Sequence, residues 1–194
     1  MRAYQRYIAI NSVGAYLYYF FIFAPLYASQ NGITLEAAGW IFSGVYALQA
    51  VLTYTLGRLF ERFSPNWGVI IGRAIFGLGP LVLFFRIDTV SFITAMILAS
   101  FFDVFFPSFV LFERAIFPPQ KREFIYRTII FVSESVKMCF LVPIVAFHFR
   151  PSRSLFLTQF LAAISFSLAF YLFLPKISTG SEVHGGSFTS NKRN

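Results

Sequence analysis

Between Val90 and Phe112 the chain reads VSFITAMILASFFDVFFPSFVLF, twenty-three residues carrying a single charge, Asp103. A helix of that length rises about 35 Å, enough to cross a hydrocarbon layer of ~30 Å. The same residues in an open strand would leave their peptide groups without partners in lipid, so the reading is a helix. Five more stretches share this character: Ile8–Tyr27, Ala38–Leu56 and Val69–Phe85 before it, Thr128–Phe147 and Leu155–Leu174 after it. The sequence therefore predicts an all-α membrane protein of six transmembrane helices. Arg2 and Arg6 precede the first stretch as they would in a signal peptide. Its apolar run is too long for one and is punctuated by tyrosines, so it reads as a retained helix. The third stretch is short, and Arg73 near its start is expected to snorkel to the interface.

Composition points the same way. Of 194 residues, 57% are hydrophobic and 12% charged, and phenylalanine alone fills 28 positions. Soluble domains carry roughly 25% charged residues, so this chain lacks the supply for a water-facing surface. The net charge of +8 sits in short clusters between apolar runs, the pattern that orients membrane proteins and not a nucleic-acid surface. One cysteine, Cys139, and two histidines, His148 and His184, exclude a disulfide framework and offer no metal-ligand spacing. No phosphate loop or nucleophile triad is visible, so neither an enzyme nor a cofactor is expected.

With the N-terminus inside, Arg2, Arg6, Arg58, Arg62, Arg73, Arg114, Lys121, Arg122, Arg127, Lys176, Lys192 and Arg193 fall on the cytoplasmic side. Arg86, Arg150 and Arg153 fall opposite, giving twelve against three. The positive-inside rule then places both termini in the cytoplasm of a multi-pass protein of the plasma or inner membrane. Residues 1–174 form the bundle, and 175–194, rich in serine and glycine, read as a flexible cytoplasmic tail or the start of a linker.

Three ionisable residues fall inside spans: Asp103 in the fourth, Glu134 and Lys137 in the fifth. A charge at the bilayer centre costs at least ~2.5–3.5 kcal/mol, so each needs a partner or a watery cavity. Asp103 and Lys137 both lie about 13–14 Å from their cytoplasmic helix ends. An Asp103–Lys137 ion pair is therefore available, with Glu134 on the same face as Lys137. Such a cluster either fixes helix packing or takes up a proton at Asp103 or Glu134, with Lys137 tuning it or meeting an anionic solute group. Asn11, Gly14 and Tyr18 in the first span and Gln49 in the second are further candidates for lining a cavity, against the plainer role of polar side chains in interhelical hydrogen bonding.

After the second span comes Gly57-Arg58-Leu59-Phe60-Glu61-Arg62. Here the chain resembles the major facilitator superfamily, whose loop between helices 2 and 3 carries a G-x-x-x-D-R-x-G-R-K-like motif. Gly57, Leu59, Glu61 and Arg62 match its first half, with Glu for Asp, while Ser64 and Pro65-Asn66 depart from the second. The loop 4–5 series Pro107, Glu113-Arg114, Pro118-Pro119-Gln120-Lys121-Arg122 is loosely similar to the drug-efflux branch. The fifth span keeps a proline, Pro143, without that branch's glycines. The resemblance implies two inverted three-helix repeats, a cytoplasmic gate at the motif loop, and alternating access, possibly as proton-coupled efflux of a small molecule. Superposing Pro25 on Pro107 aligns Tyr19–Pro25 with Phe101–Pro107, and both prolines are then expected to kink or break the first helix of their unit. The resemblance also implies a second six-helix half, whether a second copy, a split partner or a C-terminal portion. The rival reading is a non-transporting six-helix accessory or assembly subunit whose charge cluster is purely structural.

Overall fold

The computed structural model describes the backbone of residues 2–60, 64–146 and 151–177, with the side chains at 13, 57–60 and 140–146 left out. These residues are all-helical, with no strand among them. The elements are α1 (Ala3–Gly14), a 3₁₀ turn (Ala15–Tyr19), α2 (Phe20–Gln30), α3 (Leu35–Phe60), α4 (Pro65–Phe85), α5 (Thr89–Val104) and α6 (Phe106–Ile116). A second 3₁₀ turn (Pro119–Lys121), α7 (Arg122–Ala146) and α8 (Arg153–Phe173) complete the order. Five units among the described residues are long and apolar enough to cross a membrane: Ala3–Gln30, Leu35–Leu56, Pro65–Phe85, Thr89–Ile116 and Arg153–Phe173. The helix α7, 25 residues long, is the remaining long element.

Most helices begin before their apolar runs do, because polar caps start them. The Arg2 N–H donates to the Gln5 side chain at 2.9 Å, the returning arm of a capping box. The Thr34 hydroxyl accepts from the Ala37 N–H at 3.1 Å, and Asp88 accepts from the Ser91 N–H at 2.7 Å. The Ser91 N–H, with its hydroxyl and the adjacent Arg86, holds the Asp88 carboxyl below its ordinary range. Because its folded-state value is depressed, Asp88 supports α5 above the ordinary carboxylate range and loses that contribution as pH falls through the depressed value.

The fourth span breaks at Phe105, two residues before Pro107, where the expected interruption falls. The first span behaves differently. Its helix runs through Pro25, and the irregular turn is Ala15–Tyr19, upstream of it. Pro25 is thus not the site of the break.

The helices α4 and α8 pack face to face, and α4 also lies along α5. The first span touches α7 and α8, while α3 leans on α5. The core is aromatic: Phe20, Phe76, Phe92 and Phe156 are fully buried, with Phe20 edge-on to both Phe76 and Phe156. The helix α3 stands at the edge, with Trp40, Val51 and Tyr54 turned outward.

Glycines allow α4 this central position. A Cβ on Gly68 would meet Ser108 Oγ at 2.1 Å, one on Gly72 would meet Phe105 Cβ at 3.0 Å, and one on Gly79 would meet the Ala95 carbonyl oxygen at 2.6 Å. Small residues four apart let transmembrane helices approach closely. Gly79→Ala should therefore lower the thermal midpoint, since the α5 backbone cannot yield. Overpacking costs about 1–3 kcal/mol, while the gain from helix propensity is at most about 1 kcal/mol. Gly39→Ala on α3 is the control, because nothing lies within 4 Å of its added methyl. A Gly79→Ala midpoint equal to that of Gly39→Ala would refute this account of the packing.

Candidate functional site

Arg73 is the ninth residue of α4, about 12 Å from the helix start, and it does not reach the interface. It is 2% exposed, which overturns the snorkelling expectation and leaves eleven basic residues in the cytoplasmic set. Its guanidinium carbon lies 4.1 Å from the Phe102 ring centroid, 4.6 Å from Phe166, 5.4 Å from Phe109 and 6.0 Å from Tyr18. These rings come from the 3₁₀ turn, α5, α6 and α8, so the cation sits in an aromatic box closed by four elements. Ring faces attract a desolvated cation by ~2 kcal/mol. Arg73 also donates to Asn11 Oδ1 at 3.4 Å and hydrogen-bonds the Tyr18 hydroxyl. Its Nε has no partner among the described residues.

The candidate residues meet around this box. Asn11 and Tyr18 touch Arg73 directly. Lys137 Nζ stands 5.0 Å from the centroid of the same Tyr18 ring, so two cations flank one tyrosine that is 41% exposed. Asp103, next to Phe102 on α5, lies beside the Gln49 side chain and within the field of Arg73. Tyr46 of α3 also lies within the field of Asp103.

One expected contact does not form. Lys137 binds Glu134 at 2.6 Å, one helical turn away on α7, and not Asp103. The intrahelical partner is closer in sequence and needs no helix to rotate. Asp103 instead takes its opposing charge from Arg73, which the sequence reading had assigned to the membrane surface. The three candidate charges are thus two sites bridged by Tyr18.

Of the motif that follows the second span, Glu61 and Arg62 lie outside the described residues. Gly57 and Leu59 fall in the last turn of α3, and their side chains lie outside as well. Residues 178–194 of the tail are also outside the described residues, whereas Pro175–Ile177 is docked on α4. The Asn66 amide donates to the Pro175 carbonyl at 2.7 Å, and its oxygen accepts from the Ile177 N–H at 2.8 Å.

Sequence reasoning also missed a second polar contact. The Tyr7 hydroxyl of α1 donates to Glu113 of α6, and the Tyr126 side chain of α7 lies beside the same carboxyl. Among the described residues no three His, Cys, Asp or Glu side chains stand close enough to hold a metal ion. No family model, curated protein or solved structure matches the chain.

Proposed function

We propose that this chain is one six-helix half of a solute transporter, built like the N-terminal half of a major facilitator and oriented with both termini in the cytoplasm. In this reading α7 is also a span, the fifth of six. The observation that carries it is the charge cluster, to which every span contributes: Asn11 and Tyr18, Gln49, Arg73, Asp103, Glu134 and Lys137, and Phe166. Midspan ionisable groups are costly in lipid and mark solute or ion pathways. The Glu134 side chain is 60% exposed, so its face needs water or a second bundle over it, which a lipid-exposed surface does not supply.

The packing supports the inverted repeat. Exchanging spans one with four, two with five and three with six maps the main pairings onto one another, and the contact of α2 with α3 is the one that has no counterpart of similar size among the described residues. The third and sixth spans pair, the first lies on the fifth and sixth, and the fourth lies on the second and third. Transporter halves made of two three-helix units have this pattern. The motion is alternating access against a second bundle, with the Tyr18 region as the solute site. Glu134 is neutralised by Lys137, so the proton-exchanging role at midspan falls to Asp103.

Single cysteines at Tyr18 and Gln49, in a Cys139→Ser background, test this in membranes of cells expressing the full chain. Both positions should react with an impermeant maleimide applied from either side, as alternating access requires. Labelling from neither side, with a loop control labelled, would favour the accessory-subunit reading instead.

A further inference from the structure

We propose that Glu113 is a second proton-binding carboxyl, set at the end of the bundle where the N-terminus lies, and that its ionised form holds α1, α6 and α7 together through Tyr7 and Tyr126. The inference does not need the transport reading. Past the first turn of each helix, three carboxylates lie within the spanning helices and α7. Glu134 binds Lys137, and Asp103 has Gln49 and the field of Arg73. Glu113 has two tyrosine hydroxyls and, among the described residues, no basic nitrogen within ion-pair distance. A half-buried carboxylate without a cation partner has one ready means of losing its charge, which is to bind a proton.

The other charged groups nearby are turned elsewhere. Arg122 of α7 donates to the Arg114 carbonyl oxygen at 3.1 Å. The Arg114 side chain, next to Glu113 on α6, is exposed, and both arginines act on Tyr126. From α4, Arg73 acts on Tyr7.

Protonation has a structural consequence because a carboxylate and a carboxylic acid bond differently. The ionised group accepts from Tyr7 and attracts the hydroxyl of Tyr126 beside it, and charge-assisted bonds are roughly twice as strong as neutral ones. Once protonated, the group keeps only weaker neutral bonds. The two tyrosines do not respond equally. Tyr7 is 1% exposed, with ring centroids of Phe112, Phe117 and Phe170 at 5.8, 5.4 and 5.7 Å, so its hydroxyl is held in place. Tyr126 is only partly buried, and α7 packs on the first span with few other neighbours. Release therefore leaves the start of α7 held to the end of α6 by the Arg122–Arg114 bond and the Phe117–Tyr126 ring contact, while Tyr7 stays.

The test uses the full chain in lipid nanodiscs. Infrared titration from neutral to acid pH should show a protonated-carboxyl band that Glu113→Gln removes and that Asp103→Asn and Glu134→Gln retain. Spin labels on Q5C/F124C, with Cys139→Ser, report the separation of α1 from α7. The wild-type distance should be narrow at neutral pH and lengthen and broaden on acidification. Glu113→Gln should show the broad distribution at both pH values. Tyr126→Phe should show it already at neutral pH, and serves if Glu113→Gln fails to fold. A wild-type distance unmoved by acid, or carboxyl bands whose titration is the same in Glu113→Gln as in wild type, would overturn the proposal. Neither outcome bears on labelling at Tyr18 and Gln49, so the two readings fail separately.

Discussion

Arg73→Ala should cost the bundle about 2–5 kcal/mol, the range for emptying a large buried position. The change leaves a void between Phe102, Phe109, Phe166 and Tyr18, and it forfeits the attraction of those rings for the cation. It also strips Asp103 of its nearby positive field. The thermal midpoint in detergent should fall by on the order of 10 °C. Arg73→Met separates packing from charge. Methionine fills an irregular gap well, and a buried charge replaced by a well-packed apolar group is often neutral for stability. Its midpoint should return most of the way to wild type, while solute movement stays lost. An Arg73→Met protein as unstable as Arg73→Ala would show that the charge itself holds the fold.

On the transport proposal, Asp103→Asn should leave the midpoint nearly unchanged and reduce proton-linked solute movement tenfold or more. Asparagine is isosteric and stays beside Gln49, so the α3–α5 contact survives. What disappears is the group's ability to change charge, on which coupling at this position depends. The measurement is internal pH in proteoliposomes carrying a trapped dye, with a panel of small organic solutes added outside. Glu134→Gln is the comparison. It unpairs Lys137 without removing Asp103, so proton movement should persist in that variant. Undiminished proton movement in Asp103→Asn would remove Asp103 from the mechanism.

The spans were legible because apolarity is a local property, but their starts were not. Val69 opens the apolar run of the third helix, yet the helix begins at Pro65. Ser64 followed by Pro65 is a start signal written in polar and turn chemistry, which a search for apolar residues passes over. Those four residues decide the meaning of Arg73: counted from Val69 it is a surface cation, and counted from Pro65 it lies two turns deep. The Pro25–Pro107 comparison failed in part for a related reason. A proline in a helix shielded by neighbours can be absorbed, and the break in the first span falls instead at Ala15–Tyr19, after Gly14 packs against Phe166.

By itself the sequence determined that this chain forms helices long and apolar enough to cross a membrane, since an open strand would leave peptide groups in such stretches unsatisfied in lipid. It also marked Asp103, Glu134, Lys137, Asn11, Tyr18 and Gln49 as residues needing partners, because polar groups in such stretches are costly. Which partners they took was decided only in three dimensions. The rotation of each helix about its axis depends on close approaches such as Gly79 against Ala95, and these couple residues far apart in the chain. That rotation turned Lys137 toward Tyr18, set Arg73 among four rings, and closed Tyr7 onto Glu113.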